Sequence, residues 1–307
     1  MTATMDVSIV IVNYRVKDLV LQTLKSIYSF SPSSISFEVI VIDNHSDDGS
    51  VEEIISLFPQ VILIANEHNE GFPAANNQGF RLTTGDYIFM LNPDTEFIED
   101  TLSKLVDFMR KHQDYDLIAP KLLNSDRSHQ LSTWRFPSVF SVVGELFSIP
   151  LLTLRKNYYK QNFDLPFEPQ SLSGAALFFR RSVFDCIGML DEKLFWIEDI
   201  DFCYRLEKAG LRKCYLPHAE VVHHSGQSAK KNYNISISNQ VYNKIKFFNK
   251  HYGRGRTFFI MIVSAFYCIL RFIVFGFLSP INNVYRLKSQ AYLYTLKRIF
   301  NPPSGIQ

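Results

Sequence analysis

The chain has 307 residues, of which 47% are hydrophobic, so it can build a substantial core and does not belong to the disordered class. Its four cysteines have no CxxC spacing, which excludes the common zinc motifs and favours reduced thiols in a cytosolic compartment. The first ten residues lack a basic stretch followed by a long apolar run, so they do not predict a secretory signal.

Charge is distributed unevenly along the chain. Residues 229–307 contain 12 Lys and Arg and no Asp or Glu, whereas residues 1–228 contain 20 basic and 30 acidic side chains. A basic, aromatic-rich segment attached to an acidic body is typical of an element that binds anionic lipid or another polyanion.

The first third of the chain alternates short apolar runs with amphipathic stretches. Unbroken apolar runs of strand length are typical of strands that are covered on both faces. The alternation predicts an α/β fold with a mostly parallel sheet flanked by helices, which binds its ligands at the carboxyl ends of the strands. The predicted strands are residues 7–12, 37–43, 61–65 and 87–92, and the predicted helices are about 17–29, 50–58, 73–83 and 100–111.

Polar residues follow the predicted strands. Asn13 follows the first strand, Asp43 ends the second, and Asp94 follows the fourth, so we expect polar groups to converge at one edge of the sheet. The first turn, VNYRVKD, has no glycine, which argues against a dinucleotide-binding hydride-transfer enzyme. The same turn offers little to hold a triphosphate, so it also argues against a nucleotidyltransferase.

Seven motifs in a fixed order resemble the motif set of inverting glycosyltransferases of family 2, close to their rhamnosyltransferase-like and galactofuranosyltransferase-like members. The resemblance implies a GT-A type fold with a Rossmann-like sheet, plus C-terminal membrane-associated helices. The motifs, within residues 6–228, are VSIVIVNYR, IDNHSDDGS, NEGFPAANNQG, LNPDT, SGAALFFRR, FWIEDIDFCYRLEKAG and VVHHSGQS.

This resemblance also implies a domain organisation. Residues 1–228 would form the glycosyltransferase domain, with the nucleotide-sugar-binding half in 1–120 and the acceptor-binding half in 121–228. Residues 229–307 would form the basic, aromatic-rich region that associates with the membrane.

The nucleotide site is predicted at the strand ends. The resemblance gives Asp43 the role of accepting hydrogen bonds from a pyrimidine ring or ribose, although a carboxylate in a turn or helix cap is the structural alternative. Tyr14 can stack on a base, or it can be a half-buried core tyrosine. The other nucleotide-binding positions that the resemblance implies are Val12, Asn13, Gly71, Asn76, Asn92 and Asp94.

LNPDT is the predicted metal site. A diphosphate needs a hard divalent cation, Mg²⁺ or Mn²⁺, to neutralise its charge, and Asp94 can supply one ligand. Family members usually have Asp-x-Asp here, whereas this chain has Asn92 first, so one charged ligand is missing. The resemblance assigns a further ligand to His223, while His224 stays an alternative. A simple β-turn with Pro93 at its second position explains the same residues.

The acids in FWIEDIDF have separate predicted roles. Asp199 resembles the base that takes the proton of the acceptor hydroxyl in a single inverting displacement, and nearby apolar residues would desolvate it. Asp201 lies four residues before Arg205, which is the spacing of a helical salt bridge. A solvated acidic first turn of a helix is the structural alternative. The resemblance implies substrate contacts for Ser173, Gly174, Trp196 and Glu198.

The predicted function is therefore a metal-dependent inverting transferase in cell-envelope polysaccharide biosynthesis. It would move a sugar from a UDP- or dTDP-linked donor, such as dTDP-rhamnose, to a hydroxyl of a glycan or lipid-linked saccharide. A catalytically idle nucleotide- or glycan-binding protein at the membrane is the alternative, supported by Asn92 alone. No nucleic-acid partner is expected, and the oligomeric state stays open.

Residues 257–278 form an apolar stretch long enough to cross a bilayer. Arg271 inside it would cost about 2.5–3.5 kcal/mol near the centre of a spanning helix. We therefore expect a helix that lies in the cytoplasmic leaflet of the cell membrane, which makes the protein peripheral or monotopic. A single span and a buried helix of a soluble oligomer are the alternatives.

Overall fold

The computed structural model describes residues 5–30, 34–149, 161–224 and 233–301. The last four residues of the VVHHSGQS motif and two of the basic residues, Lys230 and Lys231, lie outside the described residues.

The chain forms two compact units, each built from segments that are separate in sequence. The domain boundary predicted after residue 228 stays a prediction. The first unit contains Met1–Phe136, Phe163–Glu192 and Glu198–Ser225, and the second contains Pro137–Asn162, Lys193–Ile197 and Gly226–Gln307.

The strands all belong to the first unit, and the four predicted from the sequence are present. They are β1 (Val7–Asn13), β2 (Phe37–Asp43), β3 (Ile62–Ala65), β4 (Tyr87–Leu91), β5 (Thr95–Phe97), β6 (Leu117–Leu123), β7 (His129–Gln130), β8 (Thr133–Trp134), β9 (Ser171–Leu172), β10 (Ala176–Arg180) and β11 (Lys213–His223).

The helices predicted between the first strands are present too, with bounds that differ by one residue at most. They are α1 (Lys17–Phe30), α2 (Ser50–Leu57), α3 (Phe72–Leu82), α4 (Thr101–Lys111), α5 (Val139–Leu146), α6 (Val183–Ile187), α7 (Glu198–Lys208), α8 (Tyr233–His251), α9 (Arg254–Leu278) and α10 (Asn283–Phe300).

The main sheet of the first unit is mixed but mainly parallel. Its strand order is β3-β2-β1-β4-β10-β6-β11-β5, and β7 pairs with β6. The four strands at the β3 end are parallel to one another, and β10 is antiparallel to both of its neighbours. The predicted α/β architecture with a mostly parallel sheet is therefore confirmed.

Alternate side chains of β1 enter two separate cores, one on each face of the sheet. Ile9 and Ile11 pack with residues of α1 and α4, while Val10 and Val12 pack with residues of α3. Every residue of β1 is buried, as its unbroken apolar sequence predicts.

The prediction that both faces of β3 are covered, which rests on its apolar run, is wrong. Ile62 and Ile64 are 39% and 38% exposed. The reason is position: β3 is an edge strand that pairs only with β2 within the described residues.

Three long helices dominate the second unit. They are α8, α9 and α10, and both connections between them are short. Of the helices in the described ranges, α9 has the length and apolar composition needed to cross a membrane, and only 22% of its most apolar 18-residue stretch is buried.

Gly79 is where α3 packs closest to the sheet, and its substitution gives a test of this packing. A Cβ at this position would lie 2.4 Å from Val10 Cγ1, so Gly79→Ala should lower the free energy of unfolding by about 1–3 kcal/mol. Chemical denaturation measures this change. Gly255→Ala is the matched control, because a Cβ there meets nothing within 4 Å. A Gly79→Ala protein as stable as the wild type would contradict the packing.

Candidate active site

Asn13 and Asp43 are register partners at the carboxyl ends of two parallel strands. Asn13 Nδ2 donates to Asp43 Oδ2 at 2.7 Å, and the backbone N–H of Ser46 donates to Asp43 Oδ1 at 3.0 Å. The Ser50 hydroxyl also donates to Asp43, at 3.2 Å. Asp43 is only 2% exposed, so its carboxylate holds the turn that follows β2, which is the structural alternative given for it above. Its role toward a nucleotide stays a prediction.

Tyr14 lies just beyond β1 and is 38% exposed, so it is not a core residue. The Arg15 guanidinium carbon lies 5.2 Å from the centroid of its ring. An exposed ring at a strand end can stack on a planar group. The neighbouring Val12 side chain is buried in the core instead.

Amide side chains link the turns that follow β2 and β3. Asn44 Nδ2 donates to Asn69 Oδ1 at 2.8 Å, and Asn66 Nδ2 donates to Asn44 Oδ1 at 3.1 Å. Gly71 starts α3 with φ at +85°, a conformation that favours glycine. Asn76 is buried and donates to the Phe72 carbonyl of its own helix. Asn44 was not among the predicted site residues, although its position at a strand end could have indicated it.

Asn92, Asp94 and His223 form a cluster where the chain leaves β4 and β11 ends. His223 Nε2 lies 3.2 Å from Asp94 Oδ1 and 3.5 Å from Asn92 Nδ2. Antiparallel pairing of β5 with β11 aligns His223 with Thr95, next to Asp94. The Asn92 Oδ1 atom is buried and has no hydrogen-bond partner among the described residues.

His224, the residue just after β11, has different partners from His223 because successive side chains of an extended chain point to opposite sides. Its Nδ1 lies 2.8 Å from the Ser125 hydroxyl, and its Nε2 lies 3.1 Å from Glu96 Oε2. The structure thus brings the imidazole of His223 to the Asp94 carboxylate, whereas His224 contacts Asp94 through its backbone N–H, which donates to the Asp94 carbonyl at 2.8 Å.

The cluster has the donor set that a small divalent cation needs. Asp94 supplies a carboxylate and His223 an imidazole nitrogen. The Asn92 amide, whose Nδ2 faces His223, would supply its unpartnered Oδ1 with the two ends of the amide exchanged. These donor types suit Mn²⁺ and are acceptable for Mg²⁺. Within the described part of the chain, no three His, Cys, Asp or Glu side chains converge on such a site, in keeping with Asn92 replacing an acid.

Asp199 lies in the first turn of α7, against the turn that precedes β10. Its Oδ2 accepts a hydrogen bond from the backbone N–H of Gly174 at 2.9 Å, and its Oδ1 accepts one from Ile200 at 2.7 Å. A Cβ on Gly174 would lie 3.2 Å from Asp199 Cβ, so glycine permits this close approach. Burial raises the pKa of the Asp199 carboxyl above its usual range, which makes its carboxylate a stronger base.

The Asp199 turn is connected to the Asn92 cluster. The backbone N–H of Asn92 donates to the carbonyl of Ala175 at 2.9 Å, and Ala175 directly follows Gly174. Ser173, just before that glycine, donates its backbone N–H to Ser132. The predicted base and the predicted metal ligands therefore belong to one hydrogen-bonded part of the first unit.

The neighbouring acids of α7 have other surroundings. Asp201 is fully buried and pairs with Arg205 at 2.8 Å, which confirms the predicted helical salt bridge. Arg205 also donates to the Met189 carbonyl at 2.8 Å, so the pair holds the turn after α6. Glu198 is buried too. Trp196 belongs to the second unit, is partly exposed and has φ at +70°.

Residues 8–188 match the family described as Glycosyl transferase family 2. The chain is 28% identical over 208 residues to the N-acetylglucosaminyl-diphospho-decaprenol L-rhamnosyltransferase of Mycobacterium tuberculosis. The match covers 62% of this chain and 67% of that protein. It is 25% identical to the low-salt glycan biosynthesis hexosyltransferase Agl10 of Haloferax volcanii, over 98% of this chain and 91% of that protein. It is 23% identical to the dTDP-rhamnosyl transferase RfbF of Shigella flexneri. That match covers 73% of this chain and 70% of that protein.

A crystal structure of GalNAc-T7 with UDP, GalNAc and Mn²⁺ is similar to this fold, with a TM-score of 0.57 and 17% sequence identity. The similarity covers 81% of this chain and 50% of that chain. At this identity the likeness concerns the fold alone. It confirms the predicted GT-A type architecture.

Proposed function

Because the chain belongs to glycosyl transferase family 2, we propose that it is a metal-dependent, inverting glycosyltransferase that uses a UDP- or dTDP-sugar. The observation that carries this proposal is the hydrogen-bonded link between Asp199 and the Asn92 cluster, through Gly174 and Ala175. An inverting transfer needs a base and a site for the donor diphosphate close together, and this link joins a candidate for each.

The donor site is proposed at the edge where the parallel strands end. Asn92, Asp94 and His223 would hold Mg²⁺ or Mn²⁺, which neutralises the diphosphate charge when it is bound. The exposed ring of Tyr14 would stack on the base, and the turn anchored by Asp43 would shape the pocket for it. Two relatives are named rhamnosyltransferases, which supports dTDP-rhamnose as the donor.

Asp199 would act as the general base. Its carboxylate takes the proton of the acceptor hydroxyl as the oxygen bonds to the anomeric carbon, and the bond to the nucleoside diphosphate breaks on the opposite face. The two hydrogen bonds from Gly174 and Ile200 fix the direction of the carboxylate. Acceptor contacts through Ser173, Trp196 and Glu198 remain predictions.

The acceptor is proposed to be a lipid-linked saccharide of cell-envelope polysaccharide assembly. The Mycobacterium tuberculosis relative is named for a diphospho-decaprenol saccharide, and the Haloferax volcanii relative for glycan biosynthesis. An idle binding protein was suggested by Asn92 alone. Asn92 lies beside His223, and an amide oxygen is a ligand type that can replace a carboxylate, which supports the enzyme over the idle protein.

We further propose that α9 lies in the plane of the membrane rather than across it. Its exposed large apolar side chains cover a broad face, somewhat more than half of the helix. They are Phe258, Phe259, Ile262, Phe266, Ile269, Leu270, Phe272, Ile273, Val274 and Phe277. Such an apolar face fits the boundary between lipid headgroups and acyl chains.

The opposite side of α9 packs along α10. Phe275 stacks on Tyr285 and Tyr292 with ring centroids 5.8 Å apart in both cases, and the Tyr267 and Tyr292 hydroxyls are 3.2 Å apart. The Arg271 guanidinium carbon lies 5.3 Å from the Tyr267 ring centroid and 5.9 Å from that of Phe275, so Arg271 is on this packed side.

This packing argues against a span because α10 carries four basic residues. A spanning α9 would take α10 into the hydrocarbon, at about 2.5–3.5 kcal/mol for each charge near the centre. An in-plane arrangement leaves the exposed charges of Arg286 and Lys297 near anionic headgroups, where each contributes about 1 kcal/mol, while Arg298 donates to Ser238 and Asn239 of α8. The four residues are Arg286, Lys288, Lys297 and Arg298.

The first prediction from this function concerns the base. After a thermal-shift screen of nucleotide sugars identifies the donor, Asp199→Asn should reduce sugar transfer at least about 100-fold while donor binding is kept. Asp185→Asn, an exposed acid on α6, is the matched control and should transfer normally. Near-normal transfer by Asp199→Asn would remove Asp199 from this role.

The pH dependence of transfer should carry the signature of the same carboxyl. Because burial raises the pKa of Asp199, its carboxylate is protonated at a higher pH than an ordinary Asp. The base is active only when deprotonated, so kcat/KM should fall as pH decreases through this raised pKa, above the usual value of 3.8. A profile that stays flat down to pH 4 would contradict the assignment.

The second prediction concerns membrane binding. The triple variant Phe258→Ser, Ile262→Ser, Phe277→Ser should bind phosphatidylglycerol vesicles at least about tenfold more weakly than the wild type. Each of the three apolar side chains contributes about 1.5–3 kcal/mol when it is fully buried in the membrane, and the variant loses this contribution. Cosedimentation measures this. Ile55→Ser with Leu57→Ser, on exposed positions of α2, is the matched control.

Carbonate extraction separates the two membrane arrangements. An in-plane helix should be washed off, and its vesicle binding should weaken as salt rises. Retention in the pellet after carbonate would indicate a span. An intact protein that stays soluble without detergent and ignores vesicles would contradict both arrangements.

A further inference from the structure

Gln130 contacts His223 through both atoms of its side-chain amide. Its Oε1 lies 2.7 Å from His223 Nδ1, and its Nε2 donates to the His223 carbonyl at 3.0 Å. The same Nε2 donates to Asn124 Oδ1 at 2.9 Å. Gln130 is placed for this by β7, whose pairing with β6 aligns it with Leu122. The family motifs quoted above do not contain this residue.

These contacts determine which nitrogen of His223 carries the proton. The amide nitrogen of Gln130 donates to two acceptors, Asn124 Oδ1 and the His223 carbonyl. The atom of Gln130 that faces the imidazole must therefore be the amide oxygen. An amide oxygen can only accept, so His223 Nδ1 must donate its N–H. In the neutral ring the lone pair is then on Nε2, the atom that lies 3.2 Å from Asp94 Oδ1.

The direction of that lone pair matters because of what surrounds Nε2. Asp94 Oδ1 and Nε2 are both acceptors in this tautomer although they lie 3.2 Å apart, and the Asn92 atom that faces Nε2, at 3.5 Å, is the amide nitrogen Nδ2. A cation beside Asp94 Oδ1 and Nε2 would satisfy both acceptors. Metal-bound histidines typically donate the other ring N–H to an oxygen that fixes the ring, and Gln130 Oε1 is such an oxygen.

We propose that Gln130 is a positioning residue that holds His223 in the Nδ1–H tautomer and directs Nε2 at the cation site. This inference rests on the metal dependence proposed above. His224, the next residue along the chain, offers a contrast: its Nδ1 faces the Ser125 hydroxyl, which can donate or accept, and its Nε2 lies 3.1 Å from Glu96 Oε2, which can only accept, so these contacts favour the opposite, Nε2–H tautomer.

The experiment measures Mn²⁺ binding to the full-length protein without nucleotide, by the electron paramagnetic resonance signal of free Mn²⁺. Gln130→Met keeps the side-chain length but removes the acceptor, and it should weaken Mn²⁺ binding about 10–100-fold. Gln130→Glu keeps an acceptor for Nδ1–H and should bind Mn²⁺ more tightly than Gln130→Met.

Gln22→Met is the matched control. Gln22 Nε2 donates to Glu96 Oε2 at 2.9 Å, and the same carboxylate oxygen contacts His224, so this variant makes the same substitution beside the other histidine. Its Mn²⁺ affinity should equal that of the wild type. Circular dichroism confirms that each variant is folded.

A readout that does not depend on metal comes from ¹⁵N NMR of the His223 ring. The metal-free wild type should show the Nδ1–H tautomer, and Gln130→Met should show a mixture. An Nε2–H or doubly protonated ring in the wild type at pH 8 would overturn the assignment.

The two proposals can fail separately. Mn²⁺ binding that is lost in His223→Ala but unchanged in Gln130→Met would overturn the role of Gln130 and leave the metal site. A wild type that has the Nδ1–H tautomer but binds no Mn²⁺, even with UDP or dTDP present, would overturn the proposed metal dependence and the role of Gln130 with it.

Discussion

The parallel pairing of β1 with β2 and β4 is the constraint on which the candidate site depends. Parallel strands end at the same edge, and the register aligns Asn13 with Asp43 and Ile11 with Leu91, the residue before Asn92. Both faces of β1 are buried. A shift of its pairing register by one residue would move the side chains of each face into the opposite core, so such a shift is strongly disfavoured. Core packing thus fixes the polar edge without any ligand.

The edge has two parts, one around Asp43 and one around Asn92, and each contains a buried amide oxygen without a partner among the described residues. Around Asp43, the carboxylate already accepts bonds from the side chain of Asn13, the backbone of Ser46 and the hydroxyl of Ser50, so this part is a rigid support. Asn13 Oδ1, beside Asp43, and Asn92 Oδ1 are the two oxygens, and leaving each of them without a partner costs about 1–3 kcal/mol. Such a cost is typical of a site that is completed by a ligand.

Much of the fold could be predicted because the apolar runs are long and regular. The first four strands and helices follow from them almost to the residue. The exposure of β3 could not be predicted, since an apolar run does not say how many neighbours a strand has. The segment Lys193–Ile197 belongs to the second unit although the flanking residues belong to the first, which no local pattern indicates.

Parts of the site were predictable for a different reason. Asp94, His223 and Asp199 lie in recognisable motifs, but which of the two imidazoles, His223 or His224, contacts the Asp94 carboxylate could be seen only in the folded chain. The anchoring role of Asp43 depends on bonds made by Asn13 and Ser50, which are distant in sequence. Gln130 lies in a two-residue strand with no motif, so its contact with His223 required the folded chain.

Nucleotide binding measured by calorimetry with and without Mn²⁺ tests the central claim most directly, that Asn92, Asp94 and His223 hold a cation for the donor diphosphate. The account predicts that UDP or dTDP binds the wild type in the presence of Mn²⁺ and binds at least about tenfold more weakly in EDTA. The His223→Ala variant should show the same loss of affinity in Mn²⁺, and the His224→Ala variant should not. Equal nucleotide affinity in Mn²⁺ and EDTA would contradict it, and a loss confined to His224→Ala would move the cation site to the other face of β11.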